Sequence, residues 1–547
     1  MPPTVPTRLR RCLLGATVLV ALAGGAWAQP AGGLATGGGA LAMKSALPHL
    51  NGFRQAIAAA AAEDEAVAAF FRARGREAFW TAADAASETR RAALLAALDT
   101  ASAHALPVAR YDATALRRAF RDLRSEGDRG RLEVRLTRVL LDYARDLQTG
   151  VIDPKRVDAG IVRDIPRRLP EVLLAGFETD PAAFLRALPP QNPEYARLAK
   201  ARHRLADQIA AGGWGAKVPA KALKPGATGP AVVALRDRLA AMGYLGRTAT
   251  ATYGAEIQSA VRALQFDHGL TADGVAGEGT MAEINTDPQA RLAAVTVAME
   301  RERWANIERG KRHIWVNLTD FTAKIVDDGK VTFATRAVIG STITDKRTPE
   351  FSHMMTYMEV NPDWTVPPGI IRRDYLPKLQ ANPGALSHLQ VVDSRGRVVP
   401  RSAINFAAYS SKNFPFNLRQ PPGDSNALGR VKFMFPNPWS IYLHDTPDKH
   451  LFARDSRAYS SGCVRLNDPF DFAYTLLAPQ EADPRAAFHK VLESGRQERI
   501  VLNPAVPVHL DYRTAFTDAR GRLQFRADIY GRDAEIHAAL VKAGVDG

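Results

Sequence analysis

The periodicity of the apolar residues changes near residue 312, and this change restricts the possible folds more than any other feature. Between 47 and 211, apolar residues recur at three- and four-residue spacing, as along 132–147, which is typical of amphipathic helices. From 312 onward, short runs rich in β-branched and aromatic residues predict strands. A chain of 547 residues is also too long for one hydrophobic core. The sequence therefore predicts a multidomain α+β protein, in which an all-helical support domain at 46–211 precedes a β-rich domain.

The N-terminus has the layout of an export signal. Three arginines precede an apolar run at 13–23, and Ala26 and Ala28 are the small residues that a signal peptidase recognises, so residues 1–28 are predicted to be a signal peptide. The run is shorter than the ~20 residues that span a membrane, and an uncleaved signal that holds the protein at the inner membrane is the alternative. The Gly/Ala-rich residues 29–45 are predicted to be a flexible linker. We therefore expect a periplasmic protein.

The net charge and the cysteine content limit the kind of partner and the number of thiols in the exported protein. Lys and Arg number 72 and Asp and Glu 57, a net charge of +15 that favours an anionic partner. Nucleic acid is excluded as that partner, because the basic residues are dispersed and the protein is predicted to be exported. Only Cys12 and Cys463 are present, and Cys12 lies within the predicted signal. The exported protein would carry one thiol and no internal disulfide.

A compact unit at 224–286 follows a Gly/Lys/Pro-containing linker. Its two amphipathic faces are separated by glycine turns, and each face needs the other for burial. The amino-acid sequence of residues 260–277, with His268-Gly269-Leu270 and Asp273-Gly274, resembles the peptidoglycan-binding type 1 domain, a small three-helix module. The resemblance implies wall binding, and a helical spacer without a ligand is the alternative.

The β-rich domain is predicted at 312–503, with a C-terminal extension at 504–547. Within it, residues 371–430 are rich in Pro, Gly and Asn and contain one short helical signal at 374–380. Such a long irregular passage inside a β domain is typical of an inserted lid or cap.

The reactive residues are predicted around Cys463. Its thiol is mostly protonated at neutral pH, so nucleophilic chemistry requires a neighbouring base. His444 ends a predicted strand upstream, from which a loop can return the chain to the sulfur, whereas His450 lies in a polar loop. Gly462 permits backbone conformations that other residues avoid, so its amide and that of Cys463 are candidates for an oxyanion hole. A buried, inert cysteine is the alternative.

This segment is similar to the catalytic domain of the L,D-transpeptidase family (YkuD type). Six residues match the family signature: His444, Ser460, Gly462, Cys463, Val464 and Arg465. Ser461 stands where most members have a second histidine, a form that resembles the YcbB-like branch. Supporting matches are Thr348-Pro349 and the stretches 360–370 and 419–437.

The resemblance implies a thioester mechanism. Cys463 would attack the meso-diaminopimelate carbonyl of a tetrapeptide stem and expel D-Ala, and the amine of a second stem would resolve the thioester into a 3-3 cross-link. His444 would serve as general base and acid, with the carbonyl of Asp445 fixing its tautomer. Further candidates for substrate contacts are Arg465, Ser460, Ser461, Trp364 and Tyr442. For Arg465 a structural ion pair is an equal alternative, and for Trp364 core packing is favoured.

The expected partner is peptidoglycan, both as donor and as acceptor stem, with penicillin-binding proteins or other wall-synthesis proteins as possible associates. The family implies no cofactor and susceptibility to carbapenems. A catalytic metal is not expected, because the histidines show no ligand spacing such as His-Glu-x-x-His. A wall-binding protein with a degenerate catalytic domain is the competing hypothesis, and the intact pair of His444 and Cys463 favours an enzyme. The acceptor stays open, since lipoprotein attachment, D-amino acid exchange and hydrolysis pass through the same thioester.

Overall fold

Helices build the first half of the described chain and strands build most of the second half, as the change of periodicity predicts. The structure is a computed structural model that describes residues 51–305 and 307–546. The predicted signal peptide and the predicted linker at 29–45 lie outside the described residues.

The N-terminal region is all-helical, which confirms that part of the prediction. Its helices are α1 (Gly52–Ala60), α2 (Glu65–Ala73), α3 (Ala85–Asp99), α4 (Ala113–Arg121), α5 (Glu126–Thr149), α6 (Pro154–Val157), α7 (Pro170–Thr179), α8 (Pro181–Ala187) and α9 (Pro193–Ala210). Side chains such as Asp84 and Asn192 cap them by accepting from backbone amides. Helix α5 ends before Gly150, whose φ of +94° is accessible chiefly to glycine.

The small helical module follows. It consists of α10 (Pro230–Ala241), α11 (Ala255–Asp267) and α12 (Glu278–Ile284). Val232, Leu235, Ile257 and Leu264, which the periodicity assigns to the two apolar faces, are fully buried in one cluster. The three-helix prediction is confirmed, and α13 (Pro288–Trp304) then leads to the β-rich region.

A nine-stranded sheet forms the β-rich domain. Its strands along the chain are β1 (Arg312–Asn317), β2 (Thr322–Asp327), β3 (Lys330–Gly340), β4 (Phe351–Val360), β8 (Val431–Met434), β9 (Leu443–His444), β10 (Ala458–Ser460), β11 (Val464–Leu466) and β12 (Glu498–Asp511). Their spatial order is β10-β3-β11-β9-β8-β4-β12-β1-β2, and β2 also pairs with β3, so the sheet closes on itself. One face is apolar and packs against α16 (Pro469–Leu477) and α17 (Pro484–Glu493).

The predicted insertion forms a separate layer with its own apolar cluster. Its elements are β5 (Trp364–Thr365), α14 (Pro368–Ile370), a π-helical turn (Ile371–Tyr375), α15 (Leu376–Ala381), β6 (Gln390–Val392) and β7 (Asn417–Gln420). The three strands pair in the order β5-β7-β6. Because β5 belongs to this small sheet, the layer begins before the predicted start at 371. We call it the cap.

The C-terminal residues are integrated into the fold. Strand β12 runs to Asp511 in the main sheet, so the predicted boundary at 503/504 falls inside a strand. It is followed by β13 (Ala515–Thr517), β14 (Leu523–Phe525) and α18 (Arg532–Lys542). No helix within the described ranges is long and apolar enough to cross a membrane.

A buried cluster of charges joins these parts. Arg301 of α13 pairs with Glu350 and with Asp533 of α18, both at 2.8 Å. Arg532 pairs with the same glutamate at 3.2 Å and with Asp158, which follows α6, at 2.8 Å. Each buried charge is therefore compensated, which holds the helical domain, α13 and the sheet in one arrangement.

Candidate active site

Strand pairing brings the predicted reactive residues together at the junction of β8, β9 and β11. His444 of β9 lies opposite Arg465 of β11 in a parallel pair and opposite Lys432 of β8 in an antiparallel pair. Opposed residues share a face and side chains alternate along a strand, so Tyr442 and Cys463, each two positions earlier, share that face as well. A thiol, a phenol, an imidazole and two cations thus converge on one side of the sheet.

The imidazole of His444 is buried and held in one tautomer. Its Nδ1–H donates to the carbonyl oxygen of Asp445 at 2.5 Å, the contact that the family resemblance implies, which leaves Nε2 without a proton in the neutral ring. Burial and then the nearby Arg465 charge lower the pKa of His444 to about 3. The Asp445 carboxylate is itself fixed, since it accepts from the Arg430 amide at 2.9 Å and pairs with Lys449 at 2.8 Å. The ring is therefore a neutral, oriented proton acceptor.

The thiol of Cys463 is also neutral at rest. Its sulfur lies 3.6 Å from the carbonyl oxygen of Ser440, to which the S–H donates. Burial raises the pKa of Cys463 to about 11, although hydrogen bonds from the amide and hydroxyl of Tyr442 oppose this shift. Cys463 is partly exposed, so a substrate can reach it. A neutral thiol on the same face as a neutral imidazole can react once the proton moves as the sulfur attacks.

Two groups in the turn before Cys463 do not have their predicted roles. The Gly462 amide was predicted to bind the oxyanion and Ser460 to contact the substrate. Gly462 has a φ of +123°, and a Cβ there would lie 3.0 Å from Ile441, so only glycine fits. Its amide N–H donates to Ser460 Oγ at 3.0 Å, and that hydroxyl donates to the Cys463 carbonyl at 2.5 Å. The Gly462 amide and the buried Ser460 thus brace the turn, because the tight turn satisfies their hydrogen bonds internally. The amide of Cys463 makes no hydrogen bond with any residue in the ranges described.

Of the other residues predicted to contact the substrate, Arg465 forms a structural ion pair, and Trp364 and Tyr442 lie between the cap and the sulfur. Arg465 donates to Asp448 at 2.9 Å, which is the structural ion pair considered as its alternative. Trp364 is buried in the cap cluster, edge-to-face with Tyr375 at 6.3 Å. It is within hydrogen-bonding reach of Tyr442, which contacts both the cap cluster and the sheet core. Tyr442 therefore connects the cap to the sulfur.

Ser461 lines a cavity of about 400 Å³. Its walls include Asp345, Arg347 and the loop 158–160 of the helical domain, and Trp439 lies there with 40% of its surface exposed. The exposed His450 lies in a turn at Lys449–Ala453. Within the described ranges, no three His, Cys, Asp or Glu side chains are arranged to hold a metal ion.

Two contributions to the site have no local signal in the sequence. The carbonyl of Ser440 reaches the sulfur, and Lys432 lies beside His444, only because β8, β9 and β11 are adjacent. A third residue, Thr348, donates to the Gly462 carbonyl at 2.7 Å, and the sequence marks it only as part of a family match.

The part of the chain that forms the sheet and carries this site matches a known protein family. Residues 311–492 match the L,D-transpeptidase catalytic domain family, YkuD. The chain therefore contains a YkuD-type L,D-transpeptidase domain. Residues 228–284 match the family described as "Putative peptidoglycan binding domain", and residues 65–201 match a family described as "Scaffold domain". These matches confirm the predicted catalytic domain and helical module, while the YcbB-like branch stays a prediction.

One curated relative and two solved structures are similar to the YkuD-containing chain. A Haemophilus influenzae protein named "Putative L,D-transpeptidase" is 34% identical over 247 residues, which are 45% of this chain and 49% of that protein. This chain thus spans about half the length of that relative. L,D-transpeptidase structures from Xylanimonas cellulosilytica and Stackebrandtia nassauensis are each 17% identical and 98% covered, over 53% and 54% of this chain. Their TM-scores of 0.16 and 0.22 are too low to extend the comparison.

Proposed function

We propose that this protein is a periplasmic L,D-transpeptidase that forms 3-3 cross-links between peptidoglycan stems through a thioester on Cys463. The observation that carries the proposal is the convergence of the Cys463 thiol, the tautomer-fixed His444 and Tyr442 on one face of a YkuD-type sheet. A wall-binding protein without catalysis would not need an imidazole fixed in one tautomer on the same face of the sheet as a partly exposed thiol. The geometry therefore favours the enzyme over the binding-only hypothesis.

In the acylation step, Cys463 Sγ attacks the carbonyl carbon of the third residue of a donor stem. The S–C bond forms as the thiol proton passes to His444 Nε2, and the carbonyl π electrons move to the oxygen. Collapse of this oxyanion breaks the C–N bond, and the departing D-Ala amine takes the proton from His444. The Cys463 amide is the donor we assign to the oxyanion, because the Tyr442 hydroxyl already donates to the sulfur.

In the transfer step, the side-chain amine of a second stem attacks the thioester carbonyl. His444 takes a proton from the attacking nitrogen and returns it to the sulfur as the C–S bond breaks. The result is a new amide between two stems and the regenerated thiol. The cavity beside Ser461 and Trp439 offers an approach for the acceptor.

The surrounding parts support a wall substrate. Residues 228–284 match a peptidoglycan-binding family, and the net charge of +15 favours an anionic polymer. The predicted signal peptide at 1–28 would deliver the protein to that polymer. We assign the cap, which adjoins Tyr442 through Trp364, the role of excluding water from the thioester.

The test is muropeptide analysis after incubation of purified wall with the full chain. Wild type should produce 3-3 dimers and release D-Ala, and Cys463→Ala should produce neither while keeping the wild-type unfolding midpoint. Ser456→Ala, an exposed change in the same loop, is the matched control and should behave as wild type. Dimer formation by Cys463→Ala would refute the assignment.

The products also decide among the acceptors. Tripeptide stems without dimers would indicate hydrolysis, and exchanged terminal residues in the presence of a free D-amino acid would indicate exchange. Shortening the cap within 382–416 should lower the ratio of dimer to tripeptide more than it lowers donor consumption. If both products fell together, the cap would only support the fold.

A further inference from the structure

Two residues outside the Cys463 segment form a hydrogen-bonded brace behind it. Thr348, between β3 and β4, is fully buried, and its hydroxyl donates to the Gly462 carbonyl at 2.7 Å while it accepts from the Gly340 amide at 2.9 Å. Tyr530, just before α18, donates to the Gly340 carbonyl at 2.6 Å and accepts from the Thr348 amide at 3.3 Å. The brace thus joins the C-terminal segment to the peptide that precedes Cys463.

The brace is itself held rigidly at its far end. The Tyr530 ring stacks on Tyr512 at 5.6 Å, and the Tyr530 amide donates to the Tyr512 hydroxyl at 2.8 Å. The guanidinium of Arg532, fixed by Glu350 and Asp158, lies 5.0 Å from the Tyr530 ring centre. Tyr530 lies beyond residue 492, where the match to the YkuD family ends. A part of the chain outside that match therefore reaches the reactive loop.

The direction of the Cys463 amide follows from this brace. The Gly462–Cys463 peptide is trans, so its C=O and N–H point in opposite directions. A hydroxyl that anchors the carbonyl oxygen consequently sets the direction of the N–H on the other side of the peptide plane. Gly462, with its φ of +123°, has few steric limits of its own, so the orientation depends on the partner of its carbonyl.

We propose that Thr348 and Tyr530 are positioning residues that aim the Cys463 amide at the oxyanion formed during acylation. The inference rests on the proposed function and adds to it a requirement for the C-terminal segment. Loss of the Thr348 hydroxyl frees the Gly462 carbonyl, and the peptide plane can then rotate. Since removal of one oxyanion donor slows catalysis by ~10²–10³-fold, partial misorientation should slow acylation by roughly 10- to 100-fold.

The variants are Thr348→Val and Tyr530→Phe, each with a matched control in the helical domain. Thr137 is equally buried, and its hydroxyl also accepts one N–H, from Trp80, and donates to one carbonyl, that of Glu133. Tyr143 is a buried tyrosine that donates to a backbone carbonyl at 3.1 Å. Thr137→Val and Tyr143→Phe therefore remove the same chemistry at positions remote from Cys463.

Two reactions of Cys463 are measured on the full chain by mass spectrometry. Acylation by a carbapenem builds an oxyanion, whereas alkylation by iodoacetamide is a displacement at saturated carbon and builds none. We expect Thr348→Val to slow acylation by roughly 10- to 100-fold and Tyr530→Phe by about 3- to 10-fold, with alkylation within about 2-fold of wild type. Thr348→Ser, which keeps the hydroxyl, should restore acylation, and both helical-domain controls should match wild type in both reactions.

The outcomes separate this inference from the proposed function. If the carbapenem acylates wild type and Thr348→Val at the same rate, the positioning role is refuted and the proposed function is not. A parallel loss of acylation and alkylation would also refute it, because a general disturbance of the loop affects both. Absence of acylation in wild type would instead refute the proposed function. If Thr348→Val does not fold, the comparison of Tyr530→Phe with Tyr143→Phe decides the question.

Discussion

The Cys463 thiol is protonated at rest, so the rate at which it is alkylated should depend on pH. Burial raises the pKa of Cys463 to about 11. At pH 7.5 the ionised fraction is then ~3 × 10⁻⁴, against ~3 × 10⁻² for a thiol at the ordinary pKa of 9.0. The more basic thiolate is intrinsically more nucleophilic and recovers ~10-fold of this difference, so alkylation should be ~10-fold slower than that of an exposed cysteine. Its rate should rise about tenfold per pH unit up to pH ~11.

Carbapenem acylation should follow a different profile. His444 removes the proton during attack, and since burial lowers the pKa of His444 to about 3, the ring is neutral from pH ~5 upward. The acylation rate should therefore be nearly constant between pH ~5 and ~9. The assay maps iodoacetamide modification of Cys463 from pH 6 to 11 in the native chain and in urea-unfolded chain, which supplies the exposed reference. An alkylation rate that reaches a plateau between pH 6 and 8, and loses it in His444→Gln, would refute the reasoning by revealing a resting ion pair.

Three further results are expected. His444→Ala should slow carbapenem acylation by ~10²-fold or more and His450→Ala by less than ~10-fold, and the opposite order in single-turnover kinetics would assign the base to His450. Arg301→Ala leaves the buried carboxylates of Glu350 and Asp533 without this partner, so urea unfolding should show a loss of ~3–5 kcal/mol, and a loss below ~1 kcal/mol would contradict the compensation of charges. Because burial lowers the pKa of His444 from 6.5 to about 3, the unfolded chain binds this proton first as the pH falls. The free energy of unfolding should therefore decline between pH 6.5 and 3, less so in His444→Gln, and equal declines would exclude this contribution.

Much of the architecture follows from local patterns in the sequence. A period of 3.6 or of 2 residues is set by which residues must face a core, so the helical region, the module and the strands could be predicted. The turn between β2 and β3 is local in the same way, since Asp328 and Gly329 both adopt positive φ there. The contact of His444 with the Asp445 carbonyl was implied by the resemblance to the L,D-transpeptidase family, and it joins neighbouring residues.

The remaining features of the site depend on which strands lie side by side. Adjacency of β9 and β11 places Tyr442 against the Cys463 sulfur, and the sequence contains no periodicity that specifies this order. The Gly462 amide, predicted for the oxyanion, is bound by Ser460 because hydrogen bonds of a tight turn depend on its dihedral angles. Thr348 and Tyr530 reach the reactive loop from distant parts of the chain. Sequence alone thus determined the residue types and the domains, whereas tertiary structure decided which polar groups are already bonded and which are left for a substrate, since hydrogen bonding depends on distance and direction in space.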